Sequence, residues 1–377
     1  MRSHSPATLV VHPPDPARVI GDGLCAPVYR STAFEGAGEP GYSRLANPGV
    51  EAVAAAIAGL EGSGAGLLFS SGTAATTAVV LALVPPGGTV VAAREVCADS
   101  AHLLAREIPR MGRHVVFVPV ADLDAWRTAL AAGASMAFVE SVSNPGLRVA
   151  DLDGIAAAAH DVGAVTVVDS TLATPVNLRP HEHGCDLVVH SASKYLNGHS
   201  DVIAGSVSGP DSLVGRVRRV QWATGSCLDP GAAALLARGL RTLSLRMSAH
   251  NRNGLLVARF LQGHPEVEWV LHPLLESHPD AALARRLLDG GAGMVLVRPR
   301  GGFDRARLVL GALRLIRPAP TLGGLESLAF LPGDDHVSGA LRLSVGVEDA
   351  DDILADLDQA LTAVPARRSN EPQGAVA

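Results

Sequence analysis

Between Gly49 and Ser208 the sequence alternates helical segments with short apolar runs, and this alternation constrains the fold more than any other feature. The runs are Gly66 to Ser70, Thr89 to Ala93, His114 to Val120, Met136 to Glu140, Ala164 to Asp169, Leu187 to Ser191 and Ile203 to Ser208. Helical patterns fall at Val50 to Leu60, about Thr73 to Val84, Ser100 to Ile108 and Asp151 to Val162. Short runs that are apolar throughout belong to strands buried on both faces, so an α/β fold is expected, with a mostly parallel central sheet and helices on both faces. Ligands of such sheets sit beyond the carboxyl ends of the strands. Residues 1–48 are irregular and rich in Pro and Gly, and read as an extended N-terminal arm. After Pro230 the texture changes. A long helical stretch from about Gly231 to Gln262 precedes strands near Val267 to His272, Gly293 to Val297 and Leu341 to Val345, and a final helix spans Asp349 to Ala363. The expected organisation is an arm at 1–48, a ligand-binding domain at 49–230, and a smaller C-terminal α+β domain at 231–377 whose tail is disordered from about 365.

Composition removes several classes. A net charge of -6 without a basic cluster gives no footprint for nucleic acid. The longest apolar stretch, Ala78 to Val84, falls far short of the about 20 residues that a membrane span needs. Met1 to Pro16 is interrupted by His12, Pro13, Pro14 and Asp15 and contains no signal-peptide core. Four cysteines, Cys25, Cys97, Cys185 and Cys227, are scattered without CxxC spacing, which fits a reduced, cytoplasmic protein.

Of the 31 Lys and Arg residues, one is lysine: Lys194. A GC-rich codon bias explains the arginines, but arginine can neither act as an amine nucleophile nor give up its proton. Lys194 lies in His190-Ser191-Ala192-Ser193-Lys194-Tyr195-Leu196-Asn197-Gly198, directly after an apolar run. There an amine can form a Schiff base, with Ser191 and Ser193 placed to hold an anion; a surface lysine beside a turn is the plain alternative. Asp169 closes the run Val167-Val168-Asp169. A carboxylate at a buried strand end calls for a cation such as a protonated pyridine nitrogen, unless it only caps the following turn. Ser70-Ser71-Gly72-Thr73-Ala74-Ala75 joins a run to a helix, and its small residues and helix-start amides suit a phosphate. It is neither a Walker loop nor a GxGxxG fingerprint. Amine, pyridinium partner and phosphate cradle together describe a pyridoxal phosphate site.

On these residues the chain resembles the Cys/Met-metabolism pyridoxal phosphate enzymes, the family of cystathionine γ-synthase, cystathionine γ-lyase and methionine γ-lyase. The resemblance runs from about Val11 to Leu361 and is strongest at Ser191 to Asp201, Asp169 to Pro175, Arg238 to Leu243 and Arg342 to Asp349. It implies fold-type I architecture, pyridoxal 5'-phosphate as cofactor and γ-elimination or γ-replacement on a γ-substituted amino acid. Lys194 becomes the Schiff-base lysine that also moves protons, and Asp169 the pyridinium partner. Ser71, Gly72, Thr73, Ser191 and Ser193 take the phosphate positions. Tyr42 and Arg44 match a pair that reaches the neighbouring subunit's site, which implies at least a dimer and suggests a tetramer built from two dimers. Asn144 matches a position beside the cofactor's phenolic oxygen and the substrate. Arg342 and Thr321 match the substrate α-carboxylate site, where a guanidinium fork suits a carboxylate.

The sequence departs from the family at one position that matters. Where the family places a tyrosine over the cofactor ring, this chain has Cys97, in Glu95-Val96-Cys97-Ala98-Asp99-Ser100. The only tyrosines are Tyr29, Tyr42 and Tyr195. Cys97 is readable as an acid, as a space-filler, or as a sign that the leaving group needs little protonation (acetate, phosphate, succinate or halide), in a specialised amino-acid pathway. β-Elimination, racemisation or a degenerate binding role stay open as alternatives. Pro320 stands before Thr321 where the family often carries an acidic or small polar residue. His181-Glu182-His183-Gly184-Cys185-Asp186 is read as a turn, not a metal site. Asp334, Asp335 and His336 sit in a Gly-rich loop that is readable either as a gate to the substrate site or as a plain solvated loop.

Overall fold

The structure is a computed structural model that describes residues 5–12, 26–35, 41–332, 337 and 339–364. The Asp334–His336 loop, the tail from about 365 and Cys25 lie outside the described residues. The chain divides into two compact units. The first comprises Met1–Asn144, Arg148–Ser248 and Ala282–Gly290; the second comprises Pro145–Leu147, Ala249–Ala281 and Gly291–Ala377.

The first unit is built on a seven-stranded sheet of β1 (Ala65–Phe69), β2 (Thr89–Ala93), β3 (His114–Val118), β4 (Met136–Glu140), β5 (Val165–Asp169), β6 (Leu187–Ser191) and β7 (Gly205–Gly209), in the order β1-β7-β6-β5-β4-β2-β3. Only β7 runs antiparallel to its neighbours, β1 and β6. The apolar runs thus form the mostly parallel sheet expected of them. Every residue of β4 is buried, and β2 and β6 are nearly so, which requires cover on both faces. The edge strand β3 instead alternates exposed and half-buried residues, and only Val118 is buried.

Local chemistry sets the helix ends. Asn47 caps the helix Pro48–Glu61 by accepting the Gly49 N–H, Pro48 pre-sets its first turn, and Gly62 ends it in the left-handed conformation. Ser71 caps Gly72–Leu83 by accepting the Ala74 N–H at 3.0 Å. Expected as one helix, Ser100 to Ile108 is instead a helical turn Ala98–His102, a π-helical turn Leu103–Glu107 and a short turn Ile108–Arg110 that contains Pro109. The long stretch after Pro230 is likewise two helices, Pro230–Leu240 and Leu243–Gly263, interrupted at Arg241-Thr242.

The second unit carries a five-stranded sheet of β8 (Val267–Leu271), β9 (Met294–Pro299), β10 (Arg317–Pro318), β11 (Leu328–Phe330) and β12 (Leu341–Ser344), ordered β10-β11-β12-β9-β8. With the helices Gly302–Ala312 and Ala350–Ala363 it encloses a core that includes Val295, Val297, Leu341, Leu343, Ile353 and Leu357. This is the smaller α+β unit that the sequence implies.

Candidate active site

Parallel register brings the chemistry-bearing residues of the first unit to one end of the sheet. Glu140 is the partner of Asp169 across β4 and β5, and Asp169 is the partner of Val189, two residues before Ser191. The loop carrying Lys194 leaves β6 at that end. It folds back on itself: the Lys194 N–H donates to the Ser191 carbonyl at 3.1 Å and the Gly198 N–H to the Lys194 carbonyl at 2.7 Å. Ser193 Oγ accepts the Ala204 N–H at 2.9 Å, tying the loop to the start of β7. Lys194 is half-buried.

Asp169 keeps a partly accessible carboxyl at the strand end. Its Oδ1 accepts the Thr171 N–H at 2.9 Å and the Thr171 hydroxyl at 2.5 Å, and Thr171 Oγ1 in turn accepts the Ser191 N–H at 2.8 Å. Burial raises the carboxyl above the usual aspartate range, while the Thr171 hydrogen bonds and the neighbouring His190 pull against that rise. A carboxyl so placed is completed by a cation, as a ring N–H⁺ would be.

The phosphate-type residues also converge. A Cβ on Gly72 would stand 2.9 Å from Ser191 Cα, and one on Gly205 would stand 2.1 Å from the Ser71 carbonyl oxygen. Glycine is therefore required at both positions for the Gly72–Leu83 helix to begin against β6 and β7. The amides of Gly72 and Thr73 belong to the first turn, whose N–H groups have no partner within the helix. This cradle and the carboxyl of Asp169 fit the two ends of pyridoxal phosphate.

Glu140 is the functional candidate that sequence reasoning missed. Its Oε1 accepts the Cys97 N–H at 2.7 Å and its Oε2 the Asn144 N–H at 3.1 Å, so one buried carboxyl fastens the two loops that carry those residues. Burial, and then the charge of Asp169, push it up to about 8. The Cys97 thiol is raised as well, by burial first and then by Glu140 and Asp169, and its Sγ donates to Ser100 Oγ at 3.2 Å. Cys97 is a neutral thiol.

In the arm, Tyr42 is 46% exposed and the Arg44 guanidinium lies 5.6 Å from its ring centroid. Arg44 donates to the Trp222 carbonyl at 2.7 Å, and Trp222 Nε1 returns a bond to the Leu45 carbonyl. In the second unit Arg342 is buried under the Phe330 ring and donates to the carbonyls of Pro320 at 2.7 Å and Thr321 at 3.2 Å. His181 binds the Cys185 carbonyl and His183 binds Asp153.

Comparison with known proteins places this architecture. The family described as Cys/Met metabolism PLP-dependent enzyme matches residues 7–362. L-methionine gamma-lyase of Pseudomonas putida is 39% identical, with 95% of this chain and 97% of the relative covered. Human cystathionine gamma-lyase is 36% identical over 95% of this chain and 93% of its own. A crystal structure of cystathionine gamma synthase from Xanthomonas oryzae pv. oryzae, in complex with aminoacrylate and cysteine, superposes with a TM-score of 0.92 at 34% identity, covering 96% of this chain and 98% of that one. The chain belongs to the Cys/Met-metabolism family of pyridoxal phosphate-dependent enzymes. It is an enzyme of the lyase and transferase type found in that family, with pyridoxal 5'-phosphate as its cofactor. No helix among the described residues is long and apolar enough to cross a membrane.

Proposed function

We propose that this enzyme catalyses γ-elimination or γ-replacement on a γ-substituted L-amino acid whose leaving group departs without strong protonation, such as an O-acyl ester or a halide. The observation that carries this reading is Cys97 itself, a thiol that donates to Ser100 Oγ and hangs from the Glu140 carboxyl by its N–H, at the position where the family resemblance implies a tyrosine over the ring. A thiol pushed upward by burial and two carboxyls is a poor proton donor, so it gives little help to a departing thiolate. Acetate, phosphate, succinate and halide leave as stable anions and need none.

Bound pyridoxal phosphate supplies the electron sink that lets protons leave Cα and Cβ before the bond to the Cγ substituent breaks. The chain's residues do the rest. Lys194 links to the cofactor, then accepts and returns protons. Asp169 holds the proton on the ring nitrogen. Ser71, Gly72, Thr73, Ser191 and Ser193 hold the phosphate, and Asn144 serves the cofactor's phenolic oxygen and the substrate. Arg342 and Thr321 take the substrate carboxylate, with Pro320 beside them in place of a polar contact to a distal amino group. Tyr42 and Arg44 complete the site of a second subunit, within a dimer that pairs into a tetramer. The scattered cysteines suit the cytoplasm.

The test is a panel of O-acylhomoserines, γ-haloamino acids and cystathionine, with products identified by mass. The reading expects kcat/KM on the ester or halide to exceed that on cystathionine by about tenfold or more, a difference of about 1.4 kcal/mol in barrier. It also expects Cys97→Tyr to narrow the gap. Efficient thiol elimination by the natural enzyme overturns it.

A further inference from the structure

Arg246, in the first turn of the Leu243–Gly263 helix, belongs to no ion pair among the described residues, yet it is only 5% exposed. Each of its hydrogen bonds ends on a neutral oxygen. Nη1 donates to the Tyr195 carbonyl at 2.6 Å, Nη2 to the carbonyls of Leu196 at 3.2 Å and Gly239 at 2.8 Å, and Nε to Thr242 Oγ1 at 3.0 Å. The carbonyls of the two residues that follow Lys194 thus end on one rigid fork, which also grips the last turn of the Pro230–Leu240 helix.

Such a placement is costly. The first turn of a helix disfavours a cation, and a buried guanidinium loses hydration that no carboxylate restores here. A well-packed apolar residue would serve stability better. What only arginine provides is a planar donor set that binds several carbonyls in fixed directions. The surroundings are cut to fit it. A Cβ on Gly198 would stand 1.9 Å from Nη1, and Gly198 has φ +71. A Cβ on Gly239 would stand 2.2 Å from the Asn197 carbonyl oxygen. Two glycines therefore let the guanidinium and the helix end close directly onto the Lys194 loop.

We propose that Arg246 is a positioning residue for Lys194, fixing the backbone from which the amine projects by binding the carbonyls of Tyr195 and Leu196 together with Gly239. This rests on the reading of Lys194 as the cofactor-binding lysine. The expected consequence is a loop whose amides open rarely, and an amine that meets its target in one orientation.

The experiment compares the full chain with Arg246→Lys and Arg246→Ala. Hydrogen exchange is measured on the cofactor-free proteins. The amides of Asn197 and Gly198 should exchange about tenfold faster or more in Arg246→Lys, with the β4 and β5 amides unchanged. In the loaded enzyme, kcat per bound cofactor should fall about tenfold or more while KM moves less than about threefold, and borohydride-trapped label on Lys194 should form more slowly. A merely structural role would raise exchange throughout the unit and lower the bound fraction without changing kcat per site. That outcome, or wild-type exchange and kcat in the lysine variant, overturns the proposal. If Arg246→Ala does not fold, Arg246→Lys decides. If the natural protein attaches no cofactor to Lys194, the reading of the site fails, and loop exchange still decides whether Arg246 holds the loop.

Discussion

At the scale of single residues, the most consequential pair is Glu140 and Asp169, two carboxyls in register at adjacent strand ends. Both are raised by burial, Glu140 to about 8. A carboxyl that holds its proton more tightly when folded than when unfolded makes the folded state lose stability as pH rises between those two pKa values. The thermal midpoint of the cofactor-free protein should therefore fall by about 3 °C or more between pH 5 and pH 8, and Glu140→Gln should flatten that slope in scanning calorimetry. Gly72→Ala tests the cradle. Its methyl meets the Ser191 backbone, so cofactor affinity should drop about tenfold or more, read by titration of the bound absorbance. Asp169 was legible in the sequence because an apolar run ends in an acid, and Glu140 offered the same signal, Met136-Ala137-Phe138-Val139-Glu140. Its role is not legible there because its partners are the backbone amides of Cys97 and Asn144, which no pattern of side chains reveals. Arg246 gave no signal at all, since one arginine among many looks like any other until its carbonyl partners are seen.

At the scale of elements, the strands of the first sheet read well, while β10, β11 and several helices did not. Runs such as Met136-Ala137-Phe138-Val139 are apolar throughout because both faces are covered, so they stand out from their surroundings. The helix Asp211–Thr224 buries only Val214, Val217 and Gln221, which leaves too thin an apolar stripe to notice. The break at Arg241-Thr242 was hidden because neither residue stops a helix; there Thr242 Oγ1 donates back to the Gly239 carbonyl and accepts from Arg246 Nε, local bonds that the residue types alone do not announce. One element-level device is testable in the second unit. Asp356 accepts the consecutive N–H groups of Arg314, Leu315 and Ile316, joining the last helix to the approach of β10. Asp356→Ala strands these donors in a buried setting and should cost about 3 kcal/mol, measured by urea unfolding. Gly239→Ala, which drives a methyl into the Asn197 carbonyl, should cost about 2 kcal/mol in the first unit.

At the scale of the whole molecule, the arm is the part whose purpose a single chain leaves open. Tyr42 and Arg44 stack on each other at the surface. If they serve a neighbour, inactive Arg44→Ala and Lys194→Ala proteins should complement when unfolded and refolded together. Random pairing into dimers restores one native site in each mixed pair, so activity should return to about a quarter of the natural level. No recovery would remove the shared-site reading. The strand order carries a further consequence for how the chain is made. Of the seven strands in this sheet β1 is made first, yet its ladder partner there is β7, made last. Until residue 209 has emerged, Ala65–Phe69 stays an unpaired apolar segment, and the cradle formed by Gly72, Ser191 and Gly205 does not exist. Nascent chains stalled before that length should therefore present a sticky edge that chaperones bind, and added cofactor should not release them.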